Sequence, residues 1–419
     1  MTYATLSPSS PPSLRSAPEQ VLTEIAQQDT QLRAWAYLAR EPVFAPLAQG
    51  PLAGLNFGVK DVLDVAGMPT LCGSPLSVPV PQAQDAPCVA RLRQAGATPI
   101  GKTVTAEFAH VTPGPTCNPH RHDHTPGGSS SGSAAAVAAG MVPFALGTQT
   151  GGSMIRPAAY CGVLGFKPTY GRVPREGMRV MCPSLDAIGW FAHSMSTARR
   201  VAQVLLSAGE APLPPKVSPR IAVLHEHPGF TLAPDARRVL DTAVSDLQRH
   251  GHTLDKAETP AATQQLIATH SLLVHHEMAL QLQRLTPTQF RHLSPALQAT
   301  VQRGLGISTG HYQDSLQWQA QERGAWRRYF GDADLVMTTG AISAAPQGLA
   351  HTGESGFNKG WSVLGWPCLH LPTGWSDNEL PLGVMLVARP GWDHALLAWA
   401  ETLHPLLDRR ARTPANTPA

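Results

Sequence analysis

An α/β fold, with helices covering both faces of one sheet, is what this chain of 419 residues predicts, and three observations carry that prediction. Short apolar, strand-like runs alternate with helical patterns, the arrangement that places helices against a sheet. Hydrophobic residues make up 42% and charged residues 15%, so a large core can form with little surface charge to spare. No internal repeat divides the chain, and although its length allows two average domains, α/β enzymes of this size also fold as one.

Residues 1–18, rich in Ser and Pro, read as a disordered arm. A helix is expected to start near Pro18, because Val21, Leu22, Ile25 and Ala26 fall on one face. Leu55 to Val59 reads as a short buried strand running into Lys60-Asp61. Asp85 is the expected N-cap of a helix that runs through Ala95 and stops at Gly96, with a further strand at Thr98 to Lys102. Ser133 to Ala139 reads as a helix of small residues closed by Gly140. Ile221 to Leu224 is a strand, followed by an amphipathic helix through Val239, Leu240, Ala243, Val244 and Leu247 that Gly251 terminates. Residues 260–330 are expected to be mainly helical, and strands return at Cys368–Leu371 and Gly383–Val387.

The formal net charge of +3 is small and no dense Lys/Arg run occurs, which argues against a nucleic-acid partner. The six cysteines lack paired spacing and read as reduced core residues, with neither a disulfide framework nor a zinc site. The longest apolar stretch, Ala134 to Leu146, is too short to span a bilayer and is interrupted by Gly140 and Pro143; nothing resembles a signal peptide. The expectation is therefore a cytoplasmic enzyme that avoids membranes and nucleic acid and acts on a small molecule, with a homodimer as a candidate assembly.

Four patterns compete for the glycines. Gly96 to Thr103 fits the P-loop pattern letter for letter, but a helix precedes it and Pro99 removes an N–H that a phosphate would need. Gly128-Ser-Ser130-Ser-Gly132 fits the nucleophile elbow with Ser130 at its centre, yet no strand leads into it. His120, His122 and His124 with Asp123 could form half a metal site; with no matching ligand set elsewhere they read as a polar loop, and neither a metal nor an organic cofactor is expected. The fourth is a constellation: Gly127-Gly-Ser129-Ser-Ser-Gly-Ser133, then Thr148-Gln-Thr150-Gly-Gly-Ser153, with Lys60 at a strand end upstream. Singly these are turns and a solvated or Asp61-paired lysine. Together they hold a nucleophile, a base, a relay and a bare backbone for an oxyanion.

At these residues the sequence resembles the amidase-signature family, closest in motif to its malonamidase-like branch. Gly58-Val-Lys-Asp61 with Val65-Ala-Gly-Met-Pro69, Asp85 to Phe108, Thr125 to Thr169, Ser184 to Gly189, and the later Phe357-Asn358, Leu364 to Pro367 and Leu382 to Val384 all carry the likeness. It is weakest between residues 205 and 330. The resemblance implies a single domain over 19–419, built on a large mixed, twisted sheet surrounded by helices, with residues 260–330 a variable helical region. It also implies a Ser–cisSer–Lys triad in which Ser153 is the nucleophile, Ser129 the bridging serine behind a cis peptide bond and Lys60 the base. The N–H groups from Thr150 through Gly151 and Gly152 to Ser153 would form the oxyanion hole. A lysine with an ordinary value of about 10.4 is a useless base at neutral pH, whereas a desolvated one is not.

Two departures bear on the substrate. Gln149 stands where the family usually has aspartate, and Ile155 where it has arginine, with Arg156 one position later. Both Gln149 and Arg156 are candidate substrate contacts. In the malonamidase-like branch the matching arginine is associated with a substrate carboxylate, which favours a short acidic amide; alternatively Arg156 holds the loop together. A carbamate, ester or aryl-amide hydrolase with the same triad is the runner-up. A tRNA-dependent amidotransferase subunit is the further alternative, less favoured because no extended C-terminal region follows.

Overall fold

Eleven strands form one sheet in the computed structural model, which describes residues 18–39, 50–206, 218–227 and 229–410. In chain order they are β1 (Trp35–Leu38), β2 (Asn56–Lys60), β3 (Thr98–Thr103), β4 (Phe144–Gln149), β5 (Leu164–Lys167), β6 (Ala187–Ala192), β7 (Ile221–Val223), β8 (Leu254–Lys256), β9 (Leu335–Thr339), β10 (Cys368–Trp375) and β11 (Pro381–Ala388). Their spatial order is β1-β3-β2-β4-β6-β5-β10-β11-β9-β7-β8. The sheet is mixed: β3, β2 and β4 run parallel, as do β9, β7 and β8, and antiparallel pairs connect these two groups. The single α/β sheet expected from the sequence is therefore present, whereas the arm proposed for residues 1–18 lies almost wholly outside the described residues.

Both faces of the sheet are covered. Phe144 and Leu146 of β4 enter the larger hydrophobic cluster, while Ala145 between them enters a second one with Trp35, Ile100, Phe191 and the helix at 131–138. A strand buried on both sides reads as a continuous apolar run, which is why β4 and β6, each buried along its whole length, show no alternation in the sequence. The helix Ser131–Ala138 is buried around nearly its whole circumference. Only small residues permit this: a Cβ at Gly132 would stand 2.1 Å from the carbonyl oxygen of Ala34 and 2.4 Å from the amide nitrogen of Val104.

The expected helices are found at Pro18–Leu32 and Pro234–Arg249, and five helices between Thr263 and Phe330 fill the helical region. The helix expected from Asp85 is Pro87–Gln94, but Asp85 does not cap it. Its carboxylate accepts from the Ala66 N–H and pairs with Arg93, while Pro87 supplies the preset start. The P-loop lookalike is β3 itself, with Lys102 buried against Asp61 at 2.8 Å. The six cysteines are buried and unbridged. Among the described residues no helix is long and apolar enough to cross a membrane.

Candidate active site

The site gathers at the ends of β2 and β4, which run parallel with Val59 opposite Leu146. That register brings Lys60, the last residue of β2, beside Thr148 near the end of β4. The lysine Nζ lies 2.7 Å from Thr148 Oγ1 and 2.8 Å from Ser129 Oγ. Lys60 is fully buried and both of these partners are hydroxyls; Asp61, offered by the sequence as a partner, is held by Lys102 instead. Burial lowers the Lys60 amine from its ordinary 10.5 to about 7, and the more distant charges of Asp186 and Cys72 only partly oppose this.

Ser129 precedes the small-residue helix, and the Gly128–Ser129 peptide bond is cis. The loop is pinned from both sides. Ser130 Oγ donates to the Thr148 carbonyl and accepts from the Thr148 N–H, and Ser133 Oγ donates to the Leu146 carbonyl. Ser130 is thus a brace between the serine loop and β4, entered through a turn and not through the strand an elbow requires.

Gly151, Gly152 and Ser153 form the turn between β4 and the helix Ile155–Cys161. The packing around the glycines is tight: a Cβ at Gly151 would lie 3.0 Å from His270 Nε2, and one at Gly152 3.2 Å from Asn358 Cβ, so these neighbours would have to shift. The Thr150 hydroxyl donates to Asp186 at 2.6 Å. Among the described residues the N–H groups of Gly151, Gly152 and Ser153 donate to no protein oxygen. A buried amide without a partner is uncommon outside sites that await one. An amine with a lowered proton affinity, two hydroxyls beside it and N–H groups without a protein acceptor are parts that acyl transfer uses.

A model of the family described as Amidase matches residues 23–397. The chain belongs to the amidase family. A glutamyl-tRNA(Gln) amidotransferase subunit from Chloroflexus aggregans is 30% identical to it, over 94% of this chain and 93% of the relative. Among solved structures, a crystal structure of an amidase is 28% identical with a TM-score of 0.82, covering 93% of this chain and 95% of the other. The native peptide amidase of Stenotrophomonas maltophilia is 25% identical with a TM-score of 0.77, covering 94% and 93%. As an amidase-family enzyme it acts on C–N amide bonds.

The two residues expected at the substrate are both turned inward in this amidase-family chain. Gln149 Oε1 accepts from the N–H groups of Met154 and Ile155, and its Nε2 donates to Ser362 Oγ. Arg156 is 3% exposed. Its Nη2 donates to the Gly128 carbonyl at 2.6 Å and to Thr352 Oγ1 at 3.1 Å, and its Nη1 to the Gly353 carbonyl at 3.0 Å. Its partners are thus oxygens of the protein itself, two of them main-chain. The histidines of the polar loop separate: His120 bonds the Cys161 carbonyl and His124 bonds Asp123. No group of three or more potential metal ligands occurs among the described residues.

Sequence reasoning missed the parts played by Thr148, Asp186, His270 and Ser362. Thr148 is implied once β2 and β4 are placed side by side, since it is the last residue but one of β4, beside the strand-end Lys60. His270 shares a helix face with Leu266, Leu273 and Glu277, all buried, and a histidine within such a stripe was the available signal.

Proposed function

We propose that this chain hydrolyses the C–N bond of a small-molecule amide through an acyl-enzyme on Ser153, with Ser129 as relay and Lys60 as base. The observation that carries the reading is the fully buried Lys60 amine, lowered to about 7 and facing the Ser129 and Thr148 hydroxyls. Near neutral pH a large fraction of such an amine is unprotonated and can accept a proton. Ser153 Oγ attacks the carbonyl carbon, its proton passes to Ser129 Oγ, and the proton of Ser129 passes to Lys60. The N–H groups at Gly151, Gly152 and Ser153 receive the developing oxyanion, each donor contributing about 3 kcal/mol in hydrolases of this kind. The same relay, run in reverse, protonates the leaving amine. Water then enters by the forward route, releasing the acid and restoring Ser153.

Arg156 belongs, on this reading, to the scaffold of the Gly128–Ser129 loop, and Gln149 to the turn that carries Ser153. Supporting this, the terminal nitrogens of Arg156 bond protein oxygens, and both polar ends of Gln149 are engaged within the turn. The test is a panel of malonamate, simple aliphatic amides, anilides, carbamates and esters, assayed for release of amine or alcohol by wild type and Ser153→Ala. Turnover by the wild type with none in the variant is expected; turnover retained by Ser153→Ala refutes the assignment. The names of the 30%-identical relatives favour a second reading, an amidotransferase component. A purified chain that hydrolyses panel amides alone argues for the amidase. A chain inert until partner proteins are added argues for the second reading.

A further inference from the structure

We propose that His270 and Ser362, the latter held by Gln149, are positioning residues that aim the oxyanion donors of the Gly151-Gly152 turn. This rests on the reading of Ser153 as nucleophile and deepens it. His270 Nε2 lies 3.1 Å from the Thr150 carbonyl oxygen, and Ser362 Oγ donates to the Gly151 carbonyl at 2.6 Å. A carbonyl only accepts, so Nε2 carries the imidazole proton. The peptide bonds that follow these two carbonyls are trans, the described cis bond being Gly128–Ser129. In a planar trans unit the N–H points opposite to the C=O. Fixing the oxygens of Thr150 and Gly151 towards His270 and Ser362 therefore drives the N–H groups of Gly151 and Gly152 to the other side, where, among the described residues, no protein oxygen meets them.

The proton arrangement at Ser362 is set in turn. Gln149 Nε2 donates to Ser362 Oγ at 3.1 Å, leaving the hydroxyl proton for Gly151, while Gln149 Oε1 accepts from Met154 and Ile155. An amide is required for this double task. A carboxylate at position 149 could accept from the two N–H groups but could not donate to Ser362, and would draw the hydroxyl proton away from Gly151. The departure noted at Gln149 and the serine at 362 thus form one device. His270 comes from the helix Thr263–Leu282, in the stretch least like the family. It is buried against Gly151, so a side chain at 151 would displace it.

The test uses the full-length chain with three probes: hydrolysis of p-nitroacetanilide, labelling of Ser153 by phenylmethylsulfonyl fluoride, and inhibition by phenylboronic acid as a tetrahedral mimic. His270→Ala and Ser362→Ala should each lower kcat roughly 10–100-fold, short of the 10²–10³ lost with a whole donor, while KM changes by less than about twofold. Phenylboronic acid should weaken by a factor similar to the fall in kcat. His270→Gln, whose amide N–H reaches the same carbonyl, should recover most of the loss, and Gln149→Glu should behave like Ser362→Ala. Should His270→Ala fail to fold, Ser362→Ala and His270→Gln carry the test. An active wild type whose Ser362→Ala keeps its kcat, or a His270→Gln no better than His270→Ala, overturns the positioning roles alone. A wild type that is neither labelled at Ser153 nor active overturns the acyl-enzyme reading beneath them.

Discussion

Replacing Lys60 by methionine removes the buried amine while keeping an unbranched side chain one atom shorter, and its effect on stability should depend on pH. In the unfolded chain the lysine holds its proton up to its ordinary 10.5; in the fold it releases it from about 7. Between these values the unfolded chain binds more protons, so wild-type stability rises with pH across that window. Well below pH 7 the penalty for a charged amine in the core is present in full. From pH 7 to pH 9 the wild type should gain about 2 kcal/mol from this group, somewhat under the full 1.36 kcal/mol per unit because about half of the folded molecules still hold the proton at pH 7. For 419 residues that is a rise in Tm of roughly 2–3 °C relative to Lys60→Met over the same interval. Scanning calorimetry of both proteins at pH 7, 8 and 9 measures it, other titrating groups being common to both. Parallel pH dependence in the two proteins refutes the reasoning, since the amine would then titrate alike folded and unfolded. The same proton gives a second check: wild-type kcat/KM should climb through about pH 7, and Lys60→Met should be inactive throughout.

Arg156→Met strips three protein oxygens of a charged donor and should cost about 2–4 kcal/mol in urea unfolding. It should also lower kcat/KM on malonamate and on uncharged short amides by similar factors; a loss confined to malonamate would restore the carboxylate clamp. Gly132→Ala pushes a methyl into two backbone atoms of neighbouring segments and should destabilise by about 3 kcal/mol, read as a lowered Tm. An unchanged Tm would mean that the small-residue helix is looser than its contacts indicate.

How far the sequence spoke depended on the kind of signal. Lys60, Ser129 and Ser153 were singled out through spacing and family likeness, and the structure brings the Lys60 amine against the Ser129 hydroxyl. β2 and β3 were visible as short apolar runs between turn residues. β4 and β6 were not, since strands buried on both faces lose their alternation, and the apolar stretch from Ala134 concealed a change from helix to strand at Gly140 and Pro143. Asp85 looked like a cap because its residue type fits, but a tertiary partner, Arg93, and the Ala66 N–H claimed it. The inward roles of Gln149 and Arg156 depend on Ser362, Thr352 and Gly353, roughly 200 residues downstream. No local pattern encodes such distant partners.

That separation along the chain has a consequence for the protein while it is being made. Lys60, Ser129 and Ser153 leave the ribosome before His270 and Ser362 do. The His270 contact to Thr150 spans 120 positions, and the Ser362 contact to Gly151 spans 211. Contacts between distant parts of a chain close late, after the loop entropy between them has been overcome. On the proposed reading, a nascent chain would therefore carry Lys60, Ser129 and Ser153 before the Gly-Gly turn can be held, and hydrolysis would begin only once the helices Thr263–Leu282 and Gly356–Leu364, which bear His270 and Ser362, have docked.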